Sequence, residues 1–310
     1  MTANRLREEY RRSIAGRIGF IVVLAACGFM LAIIGLGIGP MKFTVGEIIG
    51  AVVETVFGWD WGAPPAALTV IPRIRLPRIV LALLGGFGLA VTGMQKQVIL
   101  RNPLASPFTL GVSSGAALGA AFAIITGFTL VGGPYMLIVN AFAFSLLPCG
   151  VIFVLSRAGA TGYGMLILAG IAMNFIFSSV STLLSYFSHS EELKSLSLWM
   201  MGNLGRATWT DIAPLAVVLA CTVPLLFLQN QKLNVLNAGD ESAAGLGINV
   251  ERTRMVVLVL SSLVSAGIIC FTGIIGFVGL VSPHIVRMLI GNDARYLMPA
   301  SGLFGAVFLL

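Results

Sequence analysis

The sequence predicts an all-α, polytopic membrane helix bundle, and three observations carry that prediction. The chain of 310 residues is 57% hydrophobic and only 10% charged, with a mean hydropathy of +0.98. A water-soluble domain cannot cover so much apolar surface, whereas a bilayer dissolves it. The apolar residues are gathered into segments near the ~20 residues that cross hydrocarbon as a helix, enough for roughly eight to ten spans. The 37 glycines suit close helix contacts and broken helices in lipid. Residues 1–310 therefore read as one transmembrane domain.

The first span covers about 18–38, behind Arg5, Arg7, Arg11, Arg12 and Arg17. Its apolar run is long for a cleaved leader and lacks a clear small-residue cleavage site, so it is expected to stay, with the N-terminus in the cytoplasm. An external segment, 40–78, contains the amphipathic TVGEIIGAVVETVF and ends in IPRIRLPR. The second span, about 79–97, returns to the cytoplasm at Lys96 and Arg101. The third runs out over about 110–127 and the fourth back over 134–155, with Arg157 inside. The fifth covers about 165–187 and is followed outside by SHSEELKSLSLWMMGNLGRATW. The sixth, about 212–228, leads into a polar island, KLNVLNAGDESAAGLGINVERTR, over 232–254. The seventh and eighth cover about 255–271 and 274–290, and a ninth begins near 297 and is still apolar at Leu310.

Charge supports this alternation. Thirteen of the 19 Lys and Arg fall on the predicted inside and six outside, while the 12 acids divide equally, as the preference of bases for the cytoplasmic side requires. The same rule accounts for the net charge of +7, so no nucleic-acid partner is expected. Cys27, Cys149, Cys221 and Cys270 lie in apolar segments without pairing or metal-ligand spacing, and read as packed thiols.

Residues 112–156, 158–188 and 255–283 hold no Asp, Glu, Lys or Arg. An ion-coupled carrier uses intramembrane carboxylates or unwound helices with convergent polar groups, so energy is expected to arrive from a soluble partner. The chain has no GxxxxGK[ST], which assigns nucleotide hydrolysis to another polypeptide. The polar island reads either as a solvated loop or as the docking element for that partner. Within it, Asp240 or its neighbours are placed to cap a short helix continued by Ala243, Ala244 and Leu246, and Gly247 to end it in the left-handed conformation.

Arg75 and Arg78 of RLPR read either as headgroup anchors or as exposed cations receiving carboxylates of an external protein, with Pro77 fixing the approach of the second span. RNPLASPFTLGVSSGAALGAA, from Arg101, breaks the chain at Pro103 and Pro107 before a small-residue face, which suits a tight turn or a moving constriction. His189 and His284 are too far apart in sequence to suggest a metal site, and Trp199 and Trp209 read as interfacial anchors.

RLPR at 75–78, GMQKQ with RNPLASPFTLGVSSGAALGA over 93–120, LILAGIAMN at 166–174, LWMMGNL at 198–204, LNVLNAGDESAAGLGINV at 233–250 and GIIGFVGLVSPHIVRMLIG at 273–291 together resemble the FecCD family. These are the permease subunits of ABC importers for iron-siderophore complexes, haem and cobalamin. The resemblance implies a fold of the type II ABC importer permease kind, with about ten spans of which the last one and a half are missing here. It implies a homodimer or pseudo-dimer in a bacterial or archaeal cytoplasmic membrane, with ATP-binding cassette subunits below and an extracytoplasmic substrate-binding protein above. It further implies no cofactor in this chain, with ATP and Mg on the partner subunit. The coupling helices match Asn237, Gly239, Asp240, Glu241, Ser242, Ala243, Gly245, Leu246 and Gly247. The docking arginines match Arg75 and Arg78, and the cytoplasmic gate matches Asn102 and Leu104.

Overall fold

The computed structural model describes residues 3–157 and 162–310, without the side chains of residues 3–10 and of Tyr163. The side chains of Arg5 and Arg7 and the connection at 158–161 thus lie outside the described residues. The elements are all helical, in the order α1 (Ala3–Gly37), α2 (Val45–Phe57), α3 (Pro65–Val70), α4 (Leu76–Ile99), α5 (Val112–Ala121), α6 (Met136–Arg157) and α7 (Tyr163–Tyr186). There follow α8 (Ser190–Met200), α9 (Trp209–Leu228), α10 (Asn230–Ala238), α11 (Asp240–Gly245), α12 (Val250–Thr272), α13 (Val278–Ile290) and α14 (Ala294–Leu309). Among the described residues, six helices are long and apolar enough to cross a membrane, and Val112–Thr126, Val278–Ile290 and Ala294–Leu309 are shorter apolar helices. Each apolar segment read from the sequence falls on one of these.

The external segment is more ordered than its sequence suggests. Thr44 opens α2 with a reciprocal cap: its N–H donates to the Glu47 carboxylate at 2.7 Å, and its hydroxyl accepts from the Glu47 N–H at 3.3 Å. α3 runs through a π-helical turn, Ile71–Arg75, into α4, so that Pro65–Ile99 is one helix of 35 residues. Pro72 has no N–H to give the α pattern, and the widened turn carries the helix past it. RLPR therefore lies inside a helix, and Pro77 does not mark its start. The stretch after α7, placed outside without an assigned structure, contains α8, whose start is fixed by the His189 N–H donating to Glu192 at 3.0 Å.

The centre of the bundle is α4 and α12. Their most apolar windows are 56% and 67% buried, against 11% for α1 and 22% for α7. Glycine makes this centre possible. A Cβ on Gly93 would lie 1.7 Å from the Gly279 carbonyl oxygen, and one on Gly86 2.2 Å from that of Gly305. α4 thus meets α13 and α14 backbone to backbone, the approach that small residues permit in lipid.

Candidate functional site

α4 and α9 fix the two ends of the molecule. At one end the Trp209 indole donates to the Pro72 carbonyl at 2.9 Å; at the other, Arg101 reaches Leu236 and Asp240. We call the second the island end, because the polar stretch folds there.

The island is two short helices joined at Gly239. This residue has φ 131° and ψ 152°, a conformation that side chains exclude. α11 closes as the sequence predicts: Gly247 has φ 79°, its N–H donates to the Ala244 carbonyl at 2.9 Å, and the Ile248 N–H reaches the Ala243 carbonyl at 3.0 Å. That paired closure is the Schellman arrangement. The start differs, since no side chain caps α11. The Asp240 carboxylate instead accepts from Arg101 at 3.0 Å and from Arg254 at 2.5 Å, two charge-assisted bonds that outcompete a local cap.

Leu233, Leu236 and Ala243 are buried beneath the pair, while Asn237, Glu241, Ser242, Gly245 and Gly247 are exposed. Leu246 projects from the tip, 72% exposed. Asn234 ties α10 to the start of α14, donating to Asp293 at 2.8 Å and accepting from the Ala294 N–H at 2.6 Å. Asp293 also pairs with Arg295 at 2.7 Å and Arg17 at 3.4 Å. The Arg295 bond, then those from Asn234 and the backbone, hold its carboxyl down from 3.8 to about 2.

The NPL turn lies against this platform. Arg101 adopts a left-handed φ of 47°, and its guanidinium donates to the Leu236 carbonyl at 3.1 Å as well as to Asp240. The Asn102 side chain accepts from the Leu104 N–H at 2.9 Å, locking the turn. Leu104 stands 68% exposed. The structure thus brings the predicted gate and coupling residues together through Arg101, which the sequence reading did not single out.

At the opposite end the two RLPR arginines part. Arg75 is buried, 8% exposed; its guanidinium donates to the Leu36 carbonyl at 2.6 Å and to that of Met41, over the Phe43 ring at 5.0 Å. The expectation of an exposed cation at Arg75 is corrected: one more helical turn upstream turns this residue inward. Arg78 is exposed and donates to the Gly205 carbonyl at 3.1 Å. Arg73, not singled out from sequence, is exposed as well.

Lys96 also departs from expectation. Placed by sequence at a span terminus, it is fully buried, with its ammonium 3.4 Å from the Ser265 hydroxyl, which in turn donates to Thr92 at 3.2 Å. Cys27 and Cys221 are exposed on apolar faces, while Cys149 and Cys270 are buried. Among the described residues, no group of His, Cys, Asp and Glu is placed to hold a metal ion.

A family model described as the FecCD transport family matches residues 13–310. An ABC transporter permease protein of Methanocaldococcus jannaschii is 40% identical over 312 residues, covering 98% of this chain and 87% of that protein. The hemin transport system permease protein of Yersinia pestis is 41% identical over 254 residues, covering 81% of this chain and 76% of that protein. A solved inward-facing ABC transporter of the metal-chelate type superposes with a TM-score of 0.82 at 32% identity, covering 93% of this chain and 87% of that one.

Proposed function

Since this chain belongs to the FecCD transport family, we propose that it is the permease subunit of an ATP-driven importer moving a metal chelate from a binding protein into the cytoplasm. The observation that carries this reading is the Arg101–Asp240–Arg254 bridge. It ties an exposed helix pair, suited to a soluble motor, to the turn proposed as the gate.

In this reading the island end faces the cytoplasm, in keeping with its basic residues. Glu241, Ser242 and the exposed Leu246 meet the ATP-binding cassette subunit. When ATP binding favours one arrangement of α10 and α11, the ion pairs carry that preference to Asn102 and Leu104. A ligand shifts a two-state equilibrium only by its differential affinity for the states, so the tie between motor surface and gate is what makes hydrolysis useful. At the external end, Arg78 and Arg73 are the cations offered to acidic residues of a binding protein, in place of the buried Arg75. The sparsely buried α1 and α7 present apolar faces to lipid and to a second copy.

The cargo class is supported by the names of the relatives, hemin for one and a metal chelate for another; a ferric siderophore is our specific reading. One observation favours an ion-driven carrier instead, namely the ionisable Lys96 within a span. Uptake of a ferric chelate into vesicles holding the permease, its ATPase subunits and its binding protein separates the two. Asp240→Lys with Glu241→Lys is expected to abolish ATP-driven uptake while insertion is retained. Unchanged uptake, or uptake driven by a pH gradient without nucleotide, overturns the proposal.

A further inference from the structure

The island end holds a cavity of about 350 Å³ between the NPL turn, the tail of α10 and the loop after α13, lined among others by Gln97, Arg101, Asn102, Asn237, Arg287 and Asn292. Its charge is out of balance in one place. Asp240 serves both Arg101 and Arg254, and Asp293 serves both Arg17 and Arg295. Arg287, by contrast, is half-buried and bonds a neutral amide, its Nε donating to Asn292 Oδ1 at 3.1 Å. Among the described residues no carboxylate pairs with it.

A guanidinium taken partly out of water loses hydration that one amide does not replace. Its planar fork is matched in geometry by a carboxylate. Asn102 and Asn237 add amide donors at the cavity wall. Asn237, Ala238 and Gly239 of the lining lead directly into α11, so the cavity adjoins the element that carries Glu241.

We infer that this cavity is a socket for a carboxylate side chain carried by the soluble ATPase subunit, with Arg287 as the receiving cation. The inference rests on the reading of α10 and α11 as the motor surface. An anionic lipid headgroup shares the chemistry, but the cavity adjoins the exposed helix pair, since Asn237, Ala238 and Gly239 of its lining belong to α10 and its junction with α11, which favours the soluble subunit.

The test is association of the full-length permease, in phosphatidylcholine nanodiscs, with its purified ATPase subunit. Arg287→Gln is expected to weaken association at least about thirtyfold, as removing one partner of a desolvated ion pair does. Arg287→Lys recovers part of it. Asn292→Asp keeps the arginine but supplies an internal carboxylate, and is expected to weaken association too. Unchanged association in Arg287→Gln and Asn292→Asp overturns the socket. So does a loss seen only in nanodiscs containing phosphatidylglycerol, which assigns the cavity to a headgroup. Leu246→Asp distinguishes the two levels: if it blocks association while the socket variants do not, only the socket falls, and if no variant changes association, the motor-surface reading falls with it.

Discussion

The two ends of α4 each carry an arginine that reaches another element, and they reach it differently. Arg75 ends on carbonyls of Leu36 and Met41 and is sealed under Phe43. Arg101 ends on a carbonyl and on a carboxylate that is itself shared with Arg254. A carbonyl belongs to the backbone and cannot be titrated or traded, so the Arg75 tie is a permanent staple between α4 and the end of α1. A carboxylate that already has two cations can strengthen one bond as it loosens the other. The same residue type thus fastens one end to backbone and joins elements through a shared carboxylate at the other.

The largest effect that tests this contrast is on stability. Arg75→Ala takes the guanidinium donor from a buried carbonyl at Leu36 and a part-buried one at Met41, and should lower the unfolding free energy by about 2–4 kcal/mol. Arg78→Ala, three residues on and exposed, should change it by less than about 0.5 kcal/mol. Thermal unfolding of the detergent-solubilised protein compares them, and equal effects would break the contrast. Next is the island end, where a double-mutant cycle of Arg101→Ala and Asp240→Ala should give a coupling of about 1 kcal/mol, since both side chains are partly solvated. A coupling of zero would reduce the bridge to a surface contact.

The smallest effect sharpens the comparison through pH. The Asp293 carboxyl titrates lower when folded, from 3.8 to about 2. Its contribution is therefore fully present above the higher value and is lost as pH falls through the lower one. Acid unfolding profiles should show this loss in the wild type and not in Asp293→Asn, while the loss of stability on Arg75→Ala stays constant across that window.

The helical segments were legible because each apolar run has the length and composition of a span, and thirteen bases on one side gave the alternation. The closure of α11 was legible because Gly247 has one physical use there. Direction within a helix was harder to see. Whether Arg75 points inward depends on the register of a helix that begins ten residues earlier and passes Pro72 through a π turn. Lys96 was misplaced because a basic residue near a span end ordinarily reaches for water, and nothing local shows that Ser265 stands in the way. Asp240 was read as a cap because its sequence neighbours invite one. Its partners Arg101 and Arg254 come from other elements, and only the fold brings them within reach. A signal was available for Arg287: it is the one Asp, Glu, Lys or Arg in residues 255–290.

The backbone contact of Gly93 with Gly279 and of Gly86 with Gly305 limits how the machine can work. Where main chains touch, there is no rotamer to flip and no groove to slip into, so α4, α13 and α14 travel as a single plank. In the transporter we propose, rearrangement would therefore fall outside that plank, on sparsely buried elements such as α7.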